Sequence, residues 1–92
     1  MQLKADLERR ADVYEAIERG ELGLPEALRR LRRSVGKTQA EYAALVGLSP
    51  RILKAIEQGR GNPTLKSLRK ALKPFGLDVT VCRRRMTHAT GQ

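Results

Sequence analysis

The chain has 92 residues and a formal net charge of +9 at pH 7, which allows one small domain with a thin core. No apolar stretch approaches the ~20 residues that a membrane span needs, and residues 1–20 are too charged for a secretory signal. The lone cysteine, Cys82, fits a reducing compartment. We therefore expect a cytoplasmic protein without a membrane partner.

The basic residues are concentrated after residue 23. Residues 1–23 carry four basic and six acidic side chains, a net charge of −2, whereas residues 24–92 carry fifteen basic and four acidic ones, a net charge of +11. A basic domain with a pI near 10.6 indicates a polyanionic partner. Nucleic acid is therefore favoured over a basic surface without any partner.

Two helices are predicted ahead of the central motif. Residues 1–20 form an amphipathic pattern with charges of mixed sign, and this pattern leaves open whether the helix packs on the domain or on another chain. A second helix begins at Leu24-Pro25-Glu26, because proline is tolerated in a first turn and glutamate suits the positive end of the helix dipole. Gly36 is expected to end this helix.

Residues 38–57 are predicted to form two short helices joined by a tight turn. Gly47 can adopt the left-handed conformation that ends a helix. Ser49 is a good N-cap, and Pro50 suits the first position of the next helix. One helix therefore ends and another begins within about three residues, which is typical of a helix-turn-helix. Leu53 and Ile56 lie at helical spacing and are expected to face the core, which leaves an outer face with Ser49, Pro50, Arg51 and Lys54.

The last part of the chain is predicted to contain a helix and a strand. Thr64 caps the helix, and residues 77–82 alternate and are rich in β-formers. A lone strand leaves both edges unpaired, so pairing with the same strand of a second copy is favoured over a frayed segment. The expected organisation is an N-terminal helix (1–23), a helix-turn-helix domain (24–76), a dimerising strand (77–84) and a disordered tail (85–92).

Several stretches between residues 28 and 77 resemble the helix-turn-helix domain of the phage-repressor and Cro (XRE) family. The strand after Phe75-Gly76 is similar to that of HipB-like antitoxins, in which such strands form a two-stranded sheet between subunits. The resemblance implies an all-α, lambda-repressor-like domain with an extra N-terminal helix and a C-terminal strand that pairs across a dimer. The matching stretches are Leu28-Arg29-Arg30-Leu31-Arg32, Gly36-Lys37-Thr38-Gln39, Tyr42-Ala43, Val46-Gly47-Leu48-Ser49, Ile56-Glu57-Gln58-Gly59 and Asn62-Pro63-Thr64-Leu65.

The resemblance also implies roles for individual residues. Gln39 would either contact a phosphate or brace the recognition helix. Pro50 cannot hydrogen-bond from its side chain and would at most contact a thymine methyl group, so base reading depends mainly on Arg51. Arg29 is interpreted as a surface charge, and Ile52 stands where the family often has a small polar residue. The implied sets are base readers Ser49, Pro50, Arg51 and Ala55; DNA-backbone contacts Lys37, Thr38, Gln39, Lys54, Arg60 and Asn62; an ion pair of Arg32 with Glu57; and dimer-strand residues Leu77, Val79 and Val81.

The function implied by the resemblance is a transcriptional repressor in the bacterial cytoplasm, at the nucleoid. It would bind a palindromic duplex operator as a homodimer, without cofactor, metal or enzymatic activity. The favoured role is the antitoxin of a HipBA-like operon that represses its own operon, with a HipA-like kinase toxin as partner. The alternatives are a stand-alone phage-type repressor and a small basic ribonuclease toxin; the latter is disfavoured because His88, the only histidine, lies in the predicted tail.

Overall fold

The computed structural model describes residues 2–81 and 83, with side chains from residue 8 onward. The all-helical prediction is confirmed, since these residues form α-helices and a short 3₁₀ turn but no strand. The tail predicted for residues 85–92 lies outside the described residues, as does Cys82. The elements in chain order are α1 Gln2–Glu18, α2 Leu24–Ser34, α3 Gln39–Val46, α4 Pro50–Gln58, α5 Leu65–Leu72 and the 3₁₀ turn Lys73–Phe75.

The helix-turn-helix boundaries follow from local capping. The Thr38 hydroxyl accepts the Glu41 N–H at 3.1 Å, and the Glu41 carboxylate accepts the Thr38 N–H at 2.9 Å, so α3 begins with a complete capping box. Gly47 ends α3 in the left-handed region, with φ of 79°. Ser49 then caps α4 by accepting the Ile52 N–H at 3.2 Å. These bonds satisfy helix-end donors that water would otherwise have to bind.

The main core lies where α2, α3, α4 and α5 meet. Tyr42 is fully buried, its hydroxyl donates to the Ala71 carbonyl, and its ring stacks on Phe75 with 5.9 Å between the ring centroids. Burial raises the pKa of the Tyr42 phenol, and the nearby charge of Glu57 adds to this shift. The buried members of this core are Leu28, Tyr42, Ala43, Leu53, Ile56, Ala71 and Leu72.

The N-terminal helix packs on the helix-turn-helix domain of its own chain. Val13 of α1 forms a second buried cluster with Ala27 and Leu31 of α2. The Tyr14 hydroxyl donates to the Phe75 carbonyl at 2.9 Å, which joins α1 to the 3₁₀ turn. Of the two alternatives for this helix, the structure therefore shows packing on the domain.

The segment after the 3₁₀ turn does not form the predicted strand over residues 77–81. Leu77 packs on both core clusters, and the Asp78 carboxylate accepts two bonds from the Arg69 guanidinium, at 2.9 and 3.0 Å. Val79 and Val81 are 39% and 94% exposed. A β-strand requires backbone hydrogen bonds to a neighbouring strand, and the described part of the chain contains no such neighbour. An alternating pattern of β-forming residues alone therefore does not establish a strand.

Candidate nucleic-acid interface

Helix α4 has a buried side and an exposed side. Leu53 and Ile56 are 0% and 2% exposed and belong to the main core. Pro50, Arg51 and Lys54 are exposed, as is the capping residue Ser49. The face that the sequence predicted to point away from the core therefore does so.

Four of the predicted DNA-contacting residues meet in one shallow hollow along α4 and the loop after it. We call it the cationic hollow; Arg51, Lys54, Ala55, Gln58 and Arg60 line it. The Arg60 guanidinium donates to Gln58 Oε1 at 3.0 Å, whereas no hydrogen bond or ion pair joins the side chains of Arg51 and Lys54 to any other residue that the structure describes. Two cationic groups thus remain available to an external anion.

A buried ion pair holds α4 against α2. Arg32 Nε and Nη2 lie 2.7 and 3.0 Å from Glu57 Oε2 and Oε1, and the two side chains are 10% and 1% exposed. Gln39 Nε2 donates to Glu57 Oε1 at 3.0 Å, and Arg32 Nη1 donates to the Lys37 carbonyl at 2.8 Å. Arg32 and Glu57 are the two residues expected to form an ion pair. Of the two roles open to Gln39, a phosphate contact or a brace for the recognition helix, the structure shows the brace.

Arg29 also braces α4, which corrects its interpretation as a surface charge. Its Nη1 donates to the Glu57 carbonyl at 3.1 Å, near the C-terminal end of α4, and its guanidinium forms an ion pair with Glu26. A cation is favourable at that end of a helix dipole. Nothing in the sequence indicated that α2 brings Arg29 to the end of α4, because this depends on how the two helices pack.

The remaining backbone-binding candidates lie outside the cationic hollow. Lys37 and Asn62 are exposed, the Thr38 hydroxyl is engaged as the α3 cap, and Gln39 is half-buried. In the part of the chain that the structure describes, no three His, Cys, Asp or Glu side chains gather as metal ligands would. No helix in that part is long and apolar enough to cross a membrane.

The bonds that Glu57 accepts from Arg32 and Gln39 predict a loss of stability in acid. Burial alone would raise the pKa of the Glu57 carboxyl, but hydrogen bonds from Arg32 and Gln39 and the charges of Arg32 and Arg29 outweigh it, so the pKa lies below its ordinary value of 4.5. The resulting stabilisation is present above pH 4.5 and is lost as the pH falls through the lowered pKa. We expect the Tm to drop over this range, and the drop to be smaller for Glu57→Gln; an equal drop would contradict this origin.

Comparisons with known proteins agree with this geometry. A family model described as helix-turn-helix matches residues 28–81, a range that includes α3, α4, α5 and every predicted DNA-contacting residue. The "Uncharacterized HTH-type transcriptional regulator y4dJ" of Sinorhizobium fredii (strain NBRC 101917 / NGR234) is 42% identical over 48 residues, which make up 52% of this chain. The match spans 62% of that relative's length. No solved structure matches the chain significantly. The family match covers more than half of the sequence, and the chain therefore belongs to the XRE-type helix-turn-helix family.

Proposed function

We propose that the chain is a transcriptional regulator that recognises a specific duplex DNA sequence with α4. The observation that carries this proposal is the exposed face of α4, where Arg51 and Lys54 have no partner among the described residues while Leu53 and Ile56 are buried behind them. A helix of this kind fits the major groove, and its N-terminal residues reach base edges. The name of the Sinorhizobium relative, a transcriptional regulator, supports the same class of function.

Arg51 is the proposed main reader of sequence. Arginine can form two hydrogen bonds with guanine O6 and N7, which contributes about 1–3 kcal/mol of discrimination. A cation in the first turn of α4 is unfavourable to the helix dipole, so its position there favours an external anion or acceptor. Ser49 still has its hydroxyl proton to donate, although its oxygen caps α4.

The remaining predicted contacts divide into direct and positioning roles. Lys37, Lys54 and Asn62 are exposed and are proposed to bind phosphates, as is Arg60, whose guanidinium is oriented by Gln58. Gln39 is held by Glu57, so it acts on DNA through the placement of α4 and not by a direct contact. Thr38 similarly fixes the start of α3.

We further propose that the protein acts as a homodimer on a palindromic operator. One α4 helix reads too few base pairs for selective binding, and two copies related by a two-fold axis read half-sites about one helical turn apart. Residues 77–81 support this contact, because Leu77 is anchored in the core while Val79 and Val81 are exposed. Pairing of this segment with a second copy would provide the ladder that it lacks within one chain.

The favoured regulatory role is the antitoxin of a HipBA-like operon, and the alternative is a stand-alone repressor. The exposed acidic residues Glu8, Asp12 and Glu15 of α1 lie opposite the surface that packs on α2 and offer a contact for a HipA-like kinase. Co-expression with the product of the neighbouring gene separates the two roles. Co-purification of a kinase-like protein supports the antitoxin, and a regulator that purifies alone supports the stand-alone repressor.

Selection of binding sites from random duplexes tests the proposed function. We expect the purified chain to enrich an inverted repeat with a guanine in each half-site, because each copy presents one Arg51. The half-site centres should lie about 34–36 Å, or one helical turn, apart. Absence of any enriched duplex at low ionic strength would contradict the proposal.

A further inference from the structure

A second hollow lies next to α4, and its lining is mainly apolar. Ile52, Ala55 and Pro63 contribute apolar side chains, and we call it the apolar hollow; Arg60, Asn62, Thr64 and Ser67 also line it. Ile52 is 37% exposed, although its neighbour Leu53 is completely buried. The face of α4 that is proposed to meet DNA therefore includes an aliphatic side chain as well as cations.

The apolar hollow is continuous with the cationic hollow. Ala55 and Arg60 line both, and Ile52 directly follows Arg51 in the first turn of α4. The bond from the Ile52 N–H to Ser49 Oγ fixes the backbone at this point. The loop after α4 passes close to Ala55, since a Cβ placed on Gly61 would lie 3.9 Å from the Ala55 Cβ. The hollow is thus lined by α4, by the loop after it and by the first turn of α5.

We propose that the apolar hollow receives the C5-methyl group of a thymine that lies next to the guanine read by Arg51. This inference rests on the proposed function, because it requires α4 to lie in the major groove. Among the four common bases, thymine alone presents a methyl group there. Arg60 and Asn62 also line the hollow and are exposed, so they can bind the flanking phosphates and hold the base pair close to Ile52.

Ile52 thereby has a role in specificity, since its partly exposed side chain lines the hollow together with Ala55 and Pro63. Pro50, the other candidate for a thymine contact, lies at the start of α4 and does not line this hollow. The two assignments make different predictions. If the apolar hollow binds the methyl group, recognition of thymine requires the Ile52 side chain. If the start of α4 binds it, recognition requires the Pro50 side chain.

Substitution of thymine by uracil tests this assignment, because it removes the methyl group and keeps the base pairing. Each thymine of the selected operator is replaced in turn, symmetrically in both half-sites, and binding is measured by fluorescence anisotropy at fixed salt. We expect one position per half-site at which loss of the methyl group weakens binding about fourfold per half-site, the effect of one buried methyl group. Other thymines should tolerate the replacement.

Two matched variants identify the reader. Ile52→Ala should bind the thymine and uracil duplexes equally, whereas Pro50→Ala should keep the wild-type ratio. If the chain selects a duplex but no thymine is sensitive, or if the sensitivity persists in Ile52→Ala, the thymine site is wrong while sequence-specific DNA binding stands. If the chain selects no duplex, the proposed function and this inference both fail.

Discussion

Replacement of Glu57 by alanine should destabilise the fold by about 3–5 kcal/mol, because it leaves the Arg32 guanidinium buried and unpaired. The same change removes the acceptor of Gln39, so α2, α3 and α4 lose their common contact. A domain of this kind is stable by only about 5–15 kcal/mol in total. Urea denaturation followed by helical circular dichroism should therefore show a large shift of the midpoint.

Asp78→Ala is the matched control for this prediction. Asp78 also forms a two-bond pair with an arginine, Arg69, but both side chains are more than half exposed. Exposed pairs contribute little, so this variant should unfold close to the wild type. A Glu57→Ala variant no less stable than Asp78→Ala would show that the buried brace does not hold α4.

A rescue experiment separates the buried charge from packing. Replacement of Arg32 by Met together with Glu57 by Leu removes both charges and keeps an apolar contact between α2 and α4. Such exchanges of a buried pair are often neutral, so the double variant should recover much of the stability lost in Glu57→Ala. Failure to recover would locate the loss in the bonds to Gln39 and the Lys37 carbonyl.

Replacement of Arg51 by alanine should remove the preference for guanine at one position in each half-site. The expected loss is about 1–3 kcal/mol of discrimination per half-site, since the two-bond contact with O6 and N7 disappears. Stability should change little, because Arg51 is exposed and has no partner among the residues described here. Site selection and competition with single-base variants of the operator measure the effect.

Two further variants test whether geometry or charge is responsible. Arg51→Lys keeps the charge but lacks the planar fork, so it should also lose preference. Lys54→Ala should weaken all sequences alike and reduce the slope of log affinity against log salt by about 1. If Arg51→Ala selects the wild-type sequence, Arg51 is not the reader.

The features predicted well from the sequence are those that depend on neighbouring residues. Gly47, Ser49 and Pro50 act within a few positions of one another, so the end of α3 and the start of α4 could be read directly. The outward face of α4 followed from the spacing of Leu53 and Ile56. The buried pair of Arg32 with Glu57 spans 25 positions and was accessible only through the family resemblance.

The features missed depend on how distant segments meet. The bond from Tyr14 to Phe75 crosses 61 positions, and an amphipathic pattern in α1 does not identify the surface that it covers. The sequence does not distinguish Arg29 from a surface arginine, because its bond to the Glu57 carbonyl depends on how α2 packs beside the end of α4. The segment 77–81 has β-rich residues, but a strand also requires a partner that composition does not supply.

The claim that the outward face of α4 meets DNA is tested most directly by titration of the isotope-labelled protein with the selected duplex, followed by amide NMR. If this face meets DNA, the largest shifts fall on the amides of residues 49, 51–55 and 60–62, with α1 unaffected. A second basic surface, formed by Lys66, Arg69, Lys70 and Lys73 of α5 and the turn that follows it, provides the comparison within the same spectrum. Shifts confined to that surface, with α4 unchanged, would contradict DNA binding by α4.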